Sequence, residues 1–265
     1  MQRSQADIFN SGAGMSWLLH PVASRKRLLM ALASSTGGQA EDPWSRDCVV
    51  AGLLGTAEQW DRFETEWKRS VAEVGAVRPS LDGVEARMSA ALGGLIDTCG
   101  LTGIGSSVAG DEYGRLSLEI KRSLTGGRPA EPSILCFRHC IREAASQAAK
   151  LPPEEKVCFV VDGEDDLSAR AAWLFEEIKG LEPTPARERL GALGFEPKRH
   201  FAPLQAAEWL AHELLPASGN GTPLRPHGSR LPRLLFRSFD CQAFRLLQRD
   251  WEGRRIEWNR SFSRL

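Results

Sequence analysis

The chain predicts an α/β domain built on a mixed central sheet, and three observations carry that expectation. Apolar runs of strand length alternate with helix-like stretches along most of the sequence. Lys156-Val157-Cys158-Phe159-Val160-Val161-Asp162 is continuously apolar up to its closing carboxylate, as a strand buried on both faces should be. The first two apolar runs lie close enough together to pair directly, which makes the sheet mixed rather than parallel.

Taken in order, residues 1–22 are polar and Gly/Ser-containing and read as an irregular N-terminal extension. Lys26 to Ala33 is a short apolar run stopped by Ser34-Ser35-Thr36-Gly37-Gly38, and Asp47 to Gly55 is a second run of strand length. Thr56 can cap a helix through Trp60, Phe63 and Trp67, whose i, i+3, i+7 spacing makes an aromatic stripe suited to core packing. A further helix is expected over 84–98, ended by Gly100, with a strand at Thr102 to Val108. Pro132 opens a longer helix to about Lys150, closed by Pro152-Pro153. After the 156–162 strand come a helix over Asp166 to Lys179, a strand over Leu193 to Phe201 and a helix from Pro203. The sheet therefore has about five strands, in a domain spanning 23–218.

Bulk composition excludes several function classes. Lys plus Arg equals Asp plus Glu at 34 each, so no net charge recruits nucleic acid or an acidic membrane, and such a partner needs a local patch. Six cysteines are scattered without a disulfide rhythm and read as reduced core thiols of a cytoplasmic protein. No apolar run approaches membrane-spanning length.

The segment 219–265 has a different character. From Leu224 onward it holds ten arginines, no lysine and four acids, with Phe236, Phe239, Phe244, Trp251, Trp258 and Phe262 interleaved. Arginine with aromatics suits stacking and phosphate contact, which nominates Arg245, Arg249, Arg254, Arg255 and Arg260 as nucleic-acid or partner-binding residues. An amphipathic helix over Leu234 to Leu247, docking on the body through Phe239 and Leu246, is favoured over nucleic-acid binding for the start of this segment.

Chemistry points to two carboxylates. Gln205, Glu208 and His212 share one stripe of the 203–215 helix, beside an apolar stripe of Leu204, Ala207, Ala211, Leu214 and Leu215. Asp162 closes a buried strand at the sheet edge where α/β folds place their sites. A strand-end carboxylate and a helix-borne carboxylate, brought together, are the minimum oxygen ligand set for Mg²⁺ or Mn²⁺. A pair of such ions about 4 Å apart cleaves phosphodiesters. Other signals are weaker: Cys136 and Cys140 read as buried thiols, and Gly103-Ile104-Gly105 lacks the phosphate-cradle spacing.

Residues 46–69, with Val50-Ala51-Gly52 followed by Trp60, Phe63-Glu64 and Glu66-Trp67, resemble the "VAG…W..FE.EW" block of a prokaryotic domain-of-unknown-function family, number thirty-eight hundred. Val160-Val161-Asp162 and Leu204-Gln205-Ala206-Ala207-Glu208 resemble two further blocks of it, in the same order, so that the likeness covers roughly residues 26–215. The resemblance implies a ribonuclease-H-like fold and a metal-dependent nuclease, with Asp162, Glu208 and Gln205 as catalytic candidates and Asp162 and Glu208 as ligands of Mg or Mn.

The departures from that pattern are specific. The family's first strand ends in an Asp-x-Ser-Gly-type motif; here the matching stretch is Leu32-Ala33-Ser34-Ser35-Thr36-Gly37, with Leu32 in the aspartate's place. The late aspartate is Glu208, and a Phe-His motif expected after the Trp60–Trp67 helix is missing near Ala76-Val77-Arg78-Pro79. Leucine cannot bind Mg²⁺, and a two-metal site without its bridging ligand fails. Asp42 or Asp47 is a conceivable substitute, although Asp47, preceding the second strand, is expected at the wrong end of the sheet. The expectation is a catalytically impaired member serving as a nucleic-acid-binding or protein-interaction subunit, in a defence or mobile-element setting implied by the resemblance. The alternative is an active Mg/Mn-dependent nuclease using Asp162, Glu208 and a substitute acid. A homodimer through the C-terminal segment is a third possibility.

Overall fold

The centre of the sheet is an antiparallel pair, β1 (Arg27–Gly37) and β2 (Asp47–Thr56), registered from Leu28 against Thr56 to Gly37 against Asp47. The computed structural model describes residues 27–37, 46–75, 91–124, 131–163, 168–181, 184–198, 201–215, 231, 233–239 and 244. β1 runs through Ser34–Gly37, where the sequence suggests a stop. Those polar residues pair one for one with the start of β2, and the ladder satisfies their backbone groups.

β3 (Thr102–Val108) continues the antiparallel pairing on the far side of β2. β4 (Lys156–Asp162) lies parallel to β1, and β5 (Leu190–Glu196) parallel to β4. β5 starts and ends earlier than the 193–201 expectation, because its first pairing is Val157 with Leu190 and Pro197 follows Glu196.

The first six residues of the expected Leu234–Leu247 amphipathic helix are instead a strand, β6 (Leu234–Phe239), parallel to β3; of the rest only Phe244 is among the described residues. A short apolar run does not distinguish strand from helix, and here the open edge of β3 decides: its backbone groups gain partners only from an extended neighbour. The result is a six-stranded sheet in the order β5-β4-β1-β2-β3-β6, one strand more than the sequence suggests.

Eight helical segments are described: α1 (Ala57–Gly75), α2 (91–98), α3 (Gly110–Arg115), α4 (Leu118–Leu124), α5 (Pro132–Ala148), α6 (Ser168–Leu181), α7 (Thr184–Arg187) and α8 (Ala202–Leu214). α1 starts with a reciprocal cap, Gln59 N donating to Thr56 Oγ1 at 3.3 Å and Thr56 N donating to Gln59 Oε1 at 2.8 Å. Strand alternation sends Leu28, Met30 and Leu32 of β1, with Val157, Phe159 and Val161 of β4, into the core beneath α5 and α6. Leu29, Ala31 and Ala33, with Cys158 and Val160, face the second core, made with α8 and the Trp60–Phe63–Trp67 stripe of α1. Both faces of the sheet are therefore covered, which is why β1, β2 and β4 are apolar throughout their centres. Among the described residues no helix is long and apolar enough to cross a membrane.

Candidate functional site

The alternation that buries Val161 beneath α5 turns the next residue, Asp162, to the α8 side, where its carboxylate is buried. The chain leaves β5 at Glu196, registered beside Asp162, and the Phe201 N–H, donating to the Lys198 carbonyl at 3.1 Å, closes a bend before α8. Lys198 stands in that bend. Its backbone N–H donates to Asp162 Oδ1 at 3.4 Å, and its ammonium lies 3.9 Å from Asp162 Oδ2 and 2.6 Å from Glu208 Oε1. The structure thus brings Asp162 and Glu208 to one point, and a lysine nitrogen stands at that point. The Asp162 side chain is 6% exposed, Glu208 33% and Lys198 43%, so the cluster opens to solvent on the lysine side.

Gln205 holds the bend in place. Its Nε2 donates to the Lys198 carbonyl at 3.1 Å, and its Oε1 accepts from the Trp67 indole at 3.1 Å. The indole can only donate and the carbonyl only accept, which fixes the amide's orientation. Gln205 thereby positions Lys198. His212, one turn beyond Glu208, is exposed at the end of α8.

Position 32 does not face this cluster. Leu32 is fully buried beneath α5, on the opposite side of the sheet, and pairs with Val161. The pairing of β1 with β4 ends there, and the next residue of each strand, Ala33 and Asp162, turns to the α8 side. Asp47 corrects a second expectation. Because β2 is antiparallel, its first residue lies at the same end of the sheet as the ends of β1 and β4. Asp47 nevertheless stands opposite Gly37, about 13 Å along the strand from the level of Ala33. Its Oδ1 accepts the Gly110 N–H at the start of α3 at 2.9 Å, a helix-capping role. Asp42 lies outside the described residues.

The residues present do not fit a two-metal site. The central strand has Ala33, not a carboxylate, as its next residue on this side, and the Lys198 ammonium lies within 3.9 Å of both carboxylates. No group of three or more His, Cys, Asp or Glu side chains is arranged to hold a metal among the described residues. Sequence reading overlooked Lys198. The available signal was a lysine just after a strand and ten residues ahead of the helical carboxylate.

The weaker motifs resolve simply. Cys136 and Cys140 are fully buried on α5, their thiols pointing at the carbonyls of Cys48 (3.8 Å) and Val50 (3.3 Å), and burial pushes the Cys140 thiol far above its ordinary range. Gly105 sits inside β3, where a side chain would meet Leu214 Cδ1 at 2.8 Å; its role is close packing. Phe244 is buried against Tyr113 and Phe239, whereas Arg245, Arg249, Arg254, Arg255 and Arg260 lie outside the described residues.

No family model matches this chain, and no curated protein or solved structure matches it.

Proposed function

We propose that the chain is a catalytically impaired member of a metal-dependent nuclease-like family with a ribonuclease-H-like fold, working in the cytoplasm as a nucleic-acid-binding subunit. One observation carries the loss of catalysis: the Lys198 ammonium, 2.6 Å from Glu208 and 3.9 Å from Asp162, takes the position a divalent cation would need. Two features support the fold and family reading. The mixed sheet is centred on β1, with β2 alone opposed to it among its two neighbours. The three blocks that carry the resemblance also converge, Trp67 binding Gln205, and Lys198 joining Gln205 and Glu208 to Asp162. Mg or Mn has no catalytic part in this reading.

The binding role rests on the Arg/aromatic segment, whose excess of arginine stands against a chain of zero formal net charge. The experiment has two arms. Single- and double-stranded DNA and RNA are incubated with the protein in Mg²⁺ or Mn²⁺, and binding is followed by fluorescence anisotropy across a salt series. The expected result is no cleavage, with binding that is unchanged in Asp162→Ala and weakened in Arg249→Glu/Arg254→Glu/Arg255→Glu. Metal-dependent cleavage lost in Asp162→Ala would restore the active-nuclease reading. Absence of binding to every nucleic acid would leave the segment to a protein partner or a second copy of the chain.

A further inference from the structure

We propose that Lys198 is a tethered counter-ion that keeps the Asp162–Glu208 pair closed to divalent cations, and that neutralising it opens a cation site there. The inference rests on the impaired-site reading above and adds a cause to it. Two carboxylates that approach one point repel each other unless a cation stands between them. Oxygen donors of this kind suit Mg²⁺ or Mn²⁺, and the lysine competes with such ions for them.

The tether favours the lysine in that competition. The Lys198 backbone is held on both sides of its Cα, its N–H by Asp162 Oδ1 and its carbonyl by Gln205 Nε2. The ammonium is thus delivered from the same loop at an effective concentration of millimolar order or higher, against which a dissolved cation must compete. Lys198 is also the most exposed member of the cluster, at 43%, so its side chain can be shortened or replaced without opening the core, and solvent reaches the carboxylates from its side.

The test is a Mn²⁺ titration of the full chain, read by the Mn²⁺ electron paramagnetic resonance signal and by thermal shift, with no reference to activity. Lys198→Met keeps the length of the stem and removes the charge. It is expected to bind Mn²⁺ about tenfold or more tightly than the wild type, and Lys198→Arg to remain closed. Binding in Lys198→Met should vanish when Asp162→Asn or Glu208→Gln is added. Lys198→Gln is run in parallel, so that a folding defect in one variant does not decide the matter. The proposal is overturned if both neutral variants bind no more tightly than a silent wild type, or if their binding ignores Asp162 and Glu208. Tight, Asp162-dependent binding by the wild type itself would instead overturn the impaired-site reading together with this one.

Discussion

The indole N–H of Trp67 donates to Gln205 Oε1 at 3.1 Å, joining α1 to α8 across 138 residues of sequence. The ring also stacks on Phe63, with centroids 6.3 Å apart and planes 10° from parallel. Trp67→Phe preserves most of the apolar contact but leaves the Gln205 oxygen without its donor. A loss of about 1 kcal/mol is expected by urea unfolding. Gln205→Leu should cost less in the Trp67→Phe background than alone, since the shared bond is then already absent.

Gly52 lies at the centre of β2, opposite Leu32, and a methyl group there would collide with the backbone oxygen of Ala31. Backbone cannot turn aside as a side chain can. Gly52→Ala is expected to destabilise the fold by about 3 kcal/mol, through forced separation of β1 and β2. A stability within experimental error of the wild type would contradict the close approach of the two strands.

Ser106 of β3 is fully buried, and its hydroxyl has no hydrogen-bond partner among the described residues. Burying an unpaired hydroxyl is unfavourable, and alanine removes it with little change in volume. Ser106→Ala should therefore raise stability, by about 1 kcal/mol in denaturant unfolding. A clear loss would mean that the hydroxyl is satisfied.

His139 on α5 meets the Phe239 ring edge-on, with centroids 6.1 Å apart, while Arg237 lies 5.0 Å over the same ring. Burial, then Arg237, push His139 below its ordinary range; Glu143 partly opposes them and Arg142 reinforces them. The unfolded chain therefore takes up this proton first as pH falls. Its stabilising contribution is complete above about pH 6.5, declines below that, and levels off once the folded imidazole also protonates. Unfolding curves between pH 7.5 and 5 should show this slope, and His139→Phe should flatten it.

Legibility in the sequence followed the strength of the local pattern. β4 is a continuous apolar run ending in an acid, and α5 begins at a proline, so both could be read from composition and punctuation alone. β6 could not, because six residues with apolar positions at both strand and helix spacings acquire their conformation from the open edge of β3, a nonlocal cause. The site divides in the same way. Asp162 and Glu208 were visible as carboxylates at a strand end and on a helix stripe. Which residue of β1 shares the α8 side with Asp162 depends on the register of β1 against β4, and the register turns Ala33, not Leu32, to that side. Lys198 was hidden for a simpler reason: a lysine in a bend is ordinarily solvated, and only the approach of α8 to β4 gives it two acids to join.

The central claim is that Asp162 and Glu208 are paired by Lys198 and hold no catalytic metal. Calorimetric titration of the metal-free wild-type chain with Mn²⁺, beside Asp162→Ala, tests it most directly. The account predicts no binding heat in either protein at submillimolar Mn²⁺. A saturable site in the wild type that disappears in Asp162→Ala would contradict it.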